Sequence, residues 1–551
     1  MNFFIKIHRL IYTVKYLKYK QIYNRIYRKI KKVKCCNEIE FTKRQHIQQF
    51  IHHPLLANSH IENDKFCFLN KIGSYKGWNS NSYDKLWLYN LHYFDFINSI
   101  NHDSDISWHE SIILEWINEN QFMHGNGWEP YPLSLRIVNW IKWILRNNIS
   151  DQKINSSLYH QSDALFQSLE YHLLGNHLFS NSKALIFSGC YFDGKVADNW
   201  LLKGLQILDK EIKEQILDDG GNFELSPMYH NIMLTDMLDL YNLSQCYQHP
   251  DLIERAPSWK KIIERMLQYS EAISHPDGEV SFFNDSAIGV APNISCLLDY
   301  ASQLFSLSSL SLNANELDKT DSWVHFDHFQ NSGYIIVESS KQKTILDVAN
   351  VGPDYIPGHA HADTLSFEMS ISGERVFVNS GTGEYGISDE RLRQRKTAAH
   401  NTVEVDGKDS SEVWSGFRVA RRAYPSRPFI KQSENILTVS CSHNGYHRLP
   451  GKVTHRRQWD FTDDLFKVTD NLDGQYKKAL AYYHIHPEIE VTVRGKQALL
   501  KLKCGKQVIV DASEEISIES TTWHPQFGIS IPSKKLVIPF SSSQIDVTIR
   551  F

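Results

Sequence analysis

Two imidazoles two residues apart, in Gly358-His359-Ala360-His361-Ala362-Asp363, form the densest group of reactive side chains in the chain. On an extended segment side chains alternate, so His359 and His361 should point the same way. Such a pair suits metal ligation, or one base beside one ligand; two surface histidines are the competing reading of the pair in isolation. Asn379-Ser380-Gly381 closes the next predicted strand and His400-Asn401 opens another, so polar groups gather at successive strand ends like one rim of a site. A second set lies upstream. Asn176-His177 follows a glycine near the end of an amphipathic stretch, and Ser226-Pro227-Met228-Tyr229-His230 opens a helix, with proline in its first turn. Taken alone, Tyr229 reads as a packing residue. So do the aromatic stretch Gly127-Trp128-Glu129-Pro130-Tyr131-Pro132, with Arg136 beyond it, and the group Trp87, Tyr89, His92 and Tyr93.

These residues must be held by something large. The chain has 551 residues, enough for two to four domains with real cores. From about 105 to 305 apolar residues recur every three or four positions, over Ser107–Asn120, Leu133–Arg146, Ser157–Leu174, Trp200–Leu217, Ile232–Cys246 and Trp259–Ile273. Successive amphipathic helices of similar length predict a helical array or α/α toroid, assigned to 41–310. The polar stretch Ser306–Asp321 reads as a linker. Beyond it the period changes to two, in segments such as Lys343–Val348, Thr364–Ile371 and Leu465–Thr469, separated by turns such as Ser372-Gly373 and Asp406-Gly407. That predicts an all-β domain over 323–551, a sandwich, and a cleft between the two halves.

The balance of 59 Lys and Arg against 63 acidic residues argues against nucleic acid as a partner. Thirteen Trp, 26 Tyr and 28 Phe are more rings than a core usually demands and would suit a sugar-binding groove. The eight cysteines follow no zinc-finger or CxxC spacing and read as reduced, mostly buried thiols of a cytoplasmic protein. Residues 1–34 carry eleven Lys and Arg and no acid, which interrupts any signal-peptide core. Ile22, Ile26, Ile30 and Val33, with Tyr12, Tyr16, Tyr19, Tyr23 and Tyr27, instead predict a basic amphipathic helix within a 1–40 segment. Two uses follow from that pattern: peripheral docking on an anionic membrane or acidic partner, or packing on the chain's own catalytic domain.

Joined together, the motifs GHAHADTLSFEM, VFVNSGTGEYG and AAHNTVEVDG, with GWEPYPLSLRIVNW, LLGNHLFSNSKAL and FELSPMYHNIML, resemble the heparinase II/III-like polysaccharide lyases, which include relatives acting on alginate. The resemblance covers most of the chain from about residue 80. It implies an incomplete α/α toroid followed by an antiparallel β-sandwich, and a substrate that is an acidic polysaccharide or oligosaccharide. It implies Tyr229 and His359 as catalytic residues and Asn176 as the group engaging the substrate carboxylate. Trp128, Glu129, Tyr131, Arg136 and His177 fall in stretches beside the groove and are candidate substrate-binding residues. His361, Asn379 and His400 fall where relatives hold a structural zinc through His, Asp and His. Asn379 departs from that pattern, and a neutral amide is a poorer zinc ligand than a carboxylate.

The implied chemistry explains the residue types. Cleaving a uronic-acid polymer by β-elimination needs a base for the proton beside the carboxylate, an acid for the departing glycosidic oxygen, and a donor that stabilises charge developing on the carboxylate. Tyr229 is expected as acid, and as base too on one epimer, with His359 as base on the other. Two alternatives stand beside this reading. One is a glycoside hydrolase on the same scaffold, with carboxylates from Glu129, Glu224 or Asp285. The other is a non-catalytic glycan-binding protein of surface-polysaccharide production.

Overall fold

A computed structural model describes residues 3–35, 41–62, 64–100, 106–305 and 323–551. The predicted linker Ser306–Asp321 and the 36–40 boundary lie outside the described residues. Twelve helices are described: α1 (Phe3–Val14), α2 (Tyr19–Ile30), α3 (Lys85–Tyr93), α4 (Ile106–Glu119), α5 (Pro130–Asn147), α6 (Gln152–Gln167), α7 (Gly175–Tyr191), α8 (Lys195–Gln215), α9 (Pro227–Tyr247), α10 (Pro250–Ile273), α11 (Ile294–Leu304) and α12 (Asp389–Arg395). In α5, α7 and α9 apolar and small residues surround the axis, so these helices are buried nearly all round. They pack side by side as an inner layer, while α6, α8 and α10, apolar on one stripe only, cover them from outside. Gly189 and Gly204 let α7 and α8 approach closely; a Cβ on Gly189 would stand 2.6 Å from the Leu201 backbone nitrogen.

The β half is two antiparallel sheets of nine and eight strands. Their facing residues, among them Phe367, Trp459, Phe466 and Tyr483, form one core. The two-residue alternation is plain in Val453–Phe461, whose residues are buried at every second position. The predicted strand Thr364–Ile371 begins later, at Phe367, because Leu365 takes a left-handed φ of 63° that no strand continues. The two halves are tied by residues 274–293 of the helical half. His275 bonds Glu368 at 2.9 Å and Ser370 at 2.7 Å, and Asp277 takes the Arg375 guanidinium at 2.6 and 3.0 Å.

The tryptophans are core material, ten of the thirteen being buried. Of the seven described cysteines, all unpaired, Cys190, Cys246 and Cys441 are buried and the other four are not, against the expectation of mostly buried thiols. The single basic helix expected at the N-terminus is two helices, broken around Lys15–Lys18. Their polar side packs on both halves of the molecule. Thr13 bonds the Val419 carbonyl at 3.3 Å and the Trp414 ring nitrogen at 3.2 Å, while Lys18 pairs with Glu214 and lies 3.7 Å over the Tyr355 ring.

Burial leaves histidines that resist protonation. Desolvation lowers His92 to about 3 and His230 to about 4, from an ordinary value near 6.5. A lowered histidine stays neutral when folded but binds a proton when unfolded, so its stabilising contribution is complete above pH 6.5 and declines as pH falls toward the folded value. Urea unfolding curves at pH 7 and pH 5 are therefore expected to show stability falling by about 1.4 kcal/mol per pH unit for each of these histidines.

Candidate active site

Ser226 caps α9 by accepting the Tyr229 backbone N–H at 3.2 Å, and Pro227 fills the first helical position. That fixes Tyr229 one turn into the helix, facing the sandwich. His359 arrives from the sandwich side on the irregular segment before the strand Phe367–Ile371. The two rings meet with centroids 4.0 Å apart. Tyr385, on the segment following Asn379, joins them: its hydroxyl is 3.0 Å from that of Tyr229 and 3.5 Å from His359 Nδ1.

Asp285, from the crossing 274–293 segment, organises the rest. His359 Nδ1–H donates to one carboxylate oxygen at 3.0 Å and His361 Nε2–H to the other at 2.8 Å. The two histidines thus do point the same way, toward one acid. Arg391, from α12, binds both oxygens of the same carboxylate. Asp285 and Arg391 are both fully buried. Burial alone would raise the Asp285 pKa, but the Arg391 charge and the two imidazole N–H donors hold it well below the ordinary carboxylate range. With Nδ1 of His359 carrying the proton toward Asp285, Nε2 keeps the lone pair. That nitrogen lies 3.7 Å from Glu224.

Glu224 links the site to α7. Its buried carboxylate accepts the backbone N–H of Asn176, and burial raises its pKa. Asn176 opens α7 instead of closing a helix, because Leu174 and Gly175, with φ of 66° and 56°, turn the chain just before it. Left-handed non-glycine residues recur beside the site: Leu174 before Asn176, Leu225 before Ser226, Asn284 before Asp285 and Leu365 after Asp363. The helix N-terminus with Asn176 offers donors to an anion. Beside it, the His177 ring lies 4.6 Å from Tyr131 and bonds Glu170 at 3.1 Å. Burial opposes protonation of His177, but Glu170 outweighs it and raises the pKa.

The phenol of Tyr229 is pushed well above 10 by burial and by Tyr385, so it is a proton donor at neutral pH. The structure thus brings together Tyr229, His359, Asn176, His177 and Tyr131. It separates two of the sequence candidates from any substrate. Arg136 is wholly buried: its guanidinium donates to Gln161 at 2.9 Å, the His92 carbonyl at 3.2 Å and the Gly127 carbonyl at 2.8 Å, and lies 3.8 Å over the Trp116 ring. Trp128 is likewise core, packed on Trp116 and Phe122. Glu129 is occupied by Lys85 at 2.9 Å and by the Tyr89 hydroxyl. Arg136→Ala should cost about 3 kcal/mol in urea unfolding, by orphaning its acceptors and emptying its site, while Km for any glycan stays the same. Sequence reasoning misses Tyr385 and Arg391 as site residues, and it offers Asp285 only as a carboxylate for the hydrolase alternative.

A metal site can be tested on its donors. His361, Asp363 and His400 are all buried, and one ligand atom from each lies within 4.8 Å of the others. His361 gives its Nε2–H to Asp285, and His400 gives its Nδ1–H to the Lys396 carbonyl at 2.8 Å. Each tautomer is fixed by that outer partner, as metal-binding histidines usually are. The remaining lone pairs, His361 Nδ1 and His400 Nε2, face each other at 3.1 Å with no proton between them. Desolvation lowers both pKa values, so a shared proton is disfavoured and a cation would relieve the repulsion. Tetrahedral zinc holds its nitrogen ligands about 3.4 Å apart, so the donor set fits. The carboxylate within reach of both imidazoles is that of Asp363, whereas position 379 carries none. Asn379 is buried, its amide oxygen accepts the Asn401 N–H at 3.2 Å, and its Nδ2 has no protein partner; an amide has no second oxygen to offer.

A helical toroid and a β-sandwich enclosing a Tyr–His pair define a two-domain fold with its candidate site where the halves meet. Residues 13–309 match the family description "Heparinase II/III N-terminus" and residues 324–551 match "Heparinase II/III-like, C-terminal". The chain belongs to the heparinase II/III family. It is 24% identical over 332 residues to the heparin-sulfate lyase of Bacteroides stercoris, covering 58% of this chain and 47% of the relative. It is 26% identical over 304 residues to that of Pedobacter heparinus, covering 51% and 45%. The chain thus spans about half the length of the curated relatives it matches. Among solved structures it resembles heparinase III with a TM-score of 0.69 at 18% identity, covering 87% of this chain and 79% of the other. It also resembles a heparan sulfate lyase of Pedobacter heparinus with a TM-score of 0.60 at 16% identity, covering 96% and 87%. Both likenesses support the toroid-plus-sandwich fold.

Proposed function

We propose that this chain is a polysaccharide lyase that cleaves a uronic-acid-containing glycan by β-elimination. The observation that carries this reading is the contact of the Tyr229 and His359 rings, 4.0 Å between centroids, where the two halves meet. Tyr229, protonated at neutral pH, supplies the proton to the departing glycosidic oxygen. His359 takes the proton beside the carboxylate through Nε2, the nitrogen that Asp285 leaves free, when the epimer presents that proton on the imidazole side. On the other epimer Tyr229 would act first as a phenolate base and then, as the phenol so formed, return that proton to the departing oxygen, with the Tyr385 hydroxyl 3.0 Å away donating to the phenolate. Burial opposes that phenolate, so the geometry favours the His359 route. Asn176, at the positive end of α7, bonds the uronate carboxylate as negative charge grows there.

The hydrolase alternative needs a pair of carboxylates open to the substrate. Asp285 is fully buried and wholly engaged, and Glu129 is tied to Lys85 and Tyr89. Of the three candidates only Glu224 remains, and it is itself buried, so they form no open pair. The proposed metal is zinc, held by His361, Asp363 and His400; when bound it would cross-link the segments carrying the two histidines and hold His361, and through it Asp285, in place. Elemental analysis is expected to show at least a tenfold loss of zinc in Asp363→Asn and in His400→Ala, and no loss in Asn379→Ala. The substrate class is tested by incubating the chain with a panel of uronate-containing glycans. A new ultraviolet absorbance from an unsaturated uronate supports elimination; new reducing ends without it overturn that reading.

A further inference from the structure

The two N-terminal helices are amphipathic the wrong way round for a helix that simply packs on its own protein. The side facing the body is polar: Gln21 is buried and bonds the Tyr355 carbonyl at 3.4 Å, Thr13 is spent on Val419 and Trp414, and Arg28 bonds His172 at 2.8 Å. The side facing solvent is apolar. Eleven of the 26 exposed large apolar side chains among the described residues lie on α1 and α2, with Tyr19 at 80%, Ile30 at 75% and Ile26 at 59% exposure. Tyr19, Tyr23 and Tyr27 stack in a column along α2, centroids 6.2 and 5.9 Å apart. Isolated exposed apolar residues need no explanation, but a continuous stripe of them over two helices does.

The charge around the stripe says what covers it. Eleven of the chain's 59 Lys and Arg fall in residues 1–34, with none of its 63 acids. Lys29, Lys32 and Arg25 make no ion pair among the described residues. A second copy of this face would set like charge against like charge, so self-association is disfavoured. Beside the stripe, α2 and α8 enclose a cavity of about 330 Å³ lined by Lys20, Lys203 and Lys210, with Glu211, Tyr171 and Asn24. Three ammonium groups around one carboxylate leave room and net charge for one anionic group.

We propose that α1 and α2 form an interfacial docking surface for an anionic lipid bilayer, with the lysine-lined cavity receiving a headgroup phosphate. The isoleucines enter the acyl boundary, the tyrosine column sits at headgroup depth, and the lysines reach the phosphates. No helix among the described residues is long and apolar enough to cross a membrane, which agrees with helices lying in the interface plane. The surface borders the catalytic cleft: Lys18 touches Tyr355, whose neighbour Ile356 lies against Gly175 at the start of α7, and Arg28 pairs with Glu170, the partner of His177. A chain docked this way would meet its glycan at the membrane surface. The docking claim itself does not depend on the lyase reading.

The test is co-sedimentation of the full chain with vesicles of phosphatidylglycerol and phosphatidylcholine, against phosphatidylcholine alone. Binding to the anionic vesicles is expected, and its loss in high salt. The triple variant Ile22→Ser, Tyr23→Ser, Ile26→Ser should reduce partitioning at least tenfold. Lys29→Gln with Lys32→Gln should reduce it about fivefold for each charge removed. All these side chains face solvent, so the melting temperature should hold, and it is measured in parallel. Failure of the parent chain to sediment with anionic vesicles at low salt would overturn the proposal. So would equal binding by the triple variant, or elution of the parent as a dimer that loses its self-association when the apolar stripe is substituted.

Discussion

Tyr229→Phe is expected to lower kcat on the cleaved glycan by about 10³-fold, with Km nearly unchanged. The substitution removes one oxygen and keeps the ring against His359, so the cleft retains its shape. What it removes is the proton that must reach the departing oxygen. Burial and the neighbouring Tyr385 hydroxyl hold that proton on Tyr229 at neutral pH, so no solvent acid stands ready to replace it. Tyr385→Phe, which breaks only the 3.0 Å bond to the phenol, should cost less, about tenfold. The double variant should be hardly worse than Tyr229→Phe, because that bond has no function without the phenol it positions. A loss in Km instead of kcat would mean that Tyr229 only binds substrate. Full activity in Tyr229→Phe would remove it from the mechanism.

Asp285→Asn should have the largest effect on stability, about 3–5 kcal/mol by urea unfolding, together with a loss of activity of about 10² or more. The carboxylate is the only acid bonded to the Arg391 guanidinium among the described residues, and both groups are fully shielded from solvent. Replacing it with an amide strands a buried cation. The amide nitrogen also sets a donor against Arg391 and against either His359 or His361, where a carboxylate oxygen accepted one. Facing His359, it forces the imidazole to move its proton to Nε2, the nitrogen needed as base. The sign with pH follows from the depressed pKa. The charged carboxylate stabilises the fold fully above the ordinary carboxylate pKa, and that contribution is lost as pH falls toward its lower folded value. The stability gap between parent and Asp285→Asn should therefore be largest near neutrality and narrow below pH 4.

The architecture was legible in the sequence because each half repeats one period many times. Three or four residues per repeat marked α5, α9 and α10, and two per repeat marked the sandwich strands. What escaped was local. The start of α7 at Gly175 looks like a helix end in the sequence, since Leu174 adopts a conformation that a leucine does not announce. The pairing of Tyr229 with His359 came from motif resemblance, and only three-dimensional folding brings residues 130 positions apart into contact. Arg136 and Trp128 looked like groove residues because aromatic and cationic groups also build cores; nothing in composition separates a guanidinium that binds sugar from one that binds backbone carbonyls. Asp285 was visible only as a stray carboxylate. Its role depends on three partners, His359, His361 and Arg391, from segments far along the chain. The third metal donor was sought at position 379 by family pattern, yet the nearer carboxylate sits two residues after His361.

Elimination and hydrolysis differ by one molecule of water, and that water can be weighed. The purified chain is incubated with a uronate-containing oligosaccharide in oxygen-18-labelled water, and both product fragments are analysed by mass spectrometry. With the exchange of reducing-end oxygens with solvent subtracted, the account predicts fragments whose masses add up to that of the substrate, one bearing a double bond and neither carrying an added water. Fragments that together exceed the substrate by one labelled water would contradict it.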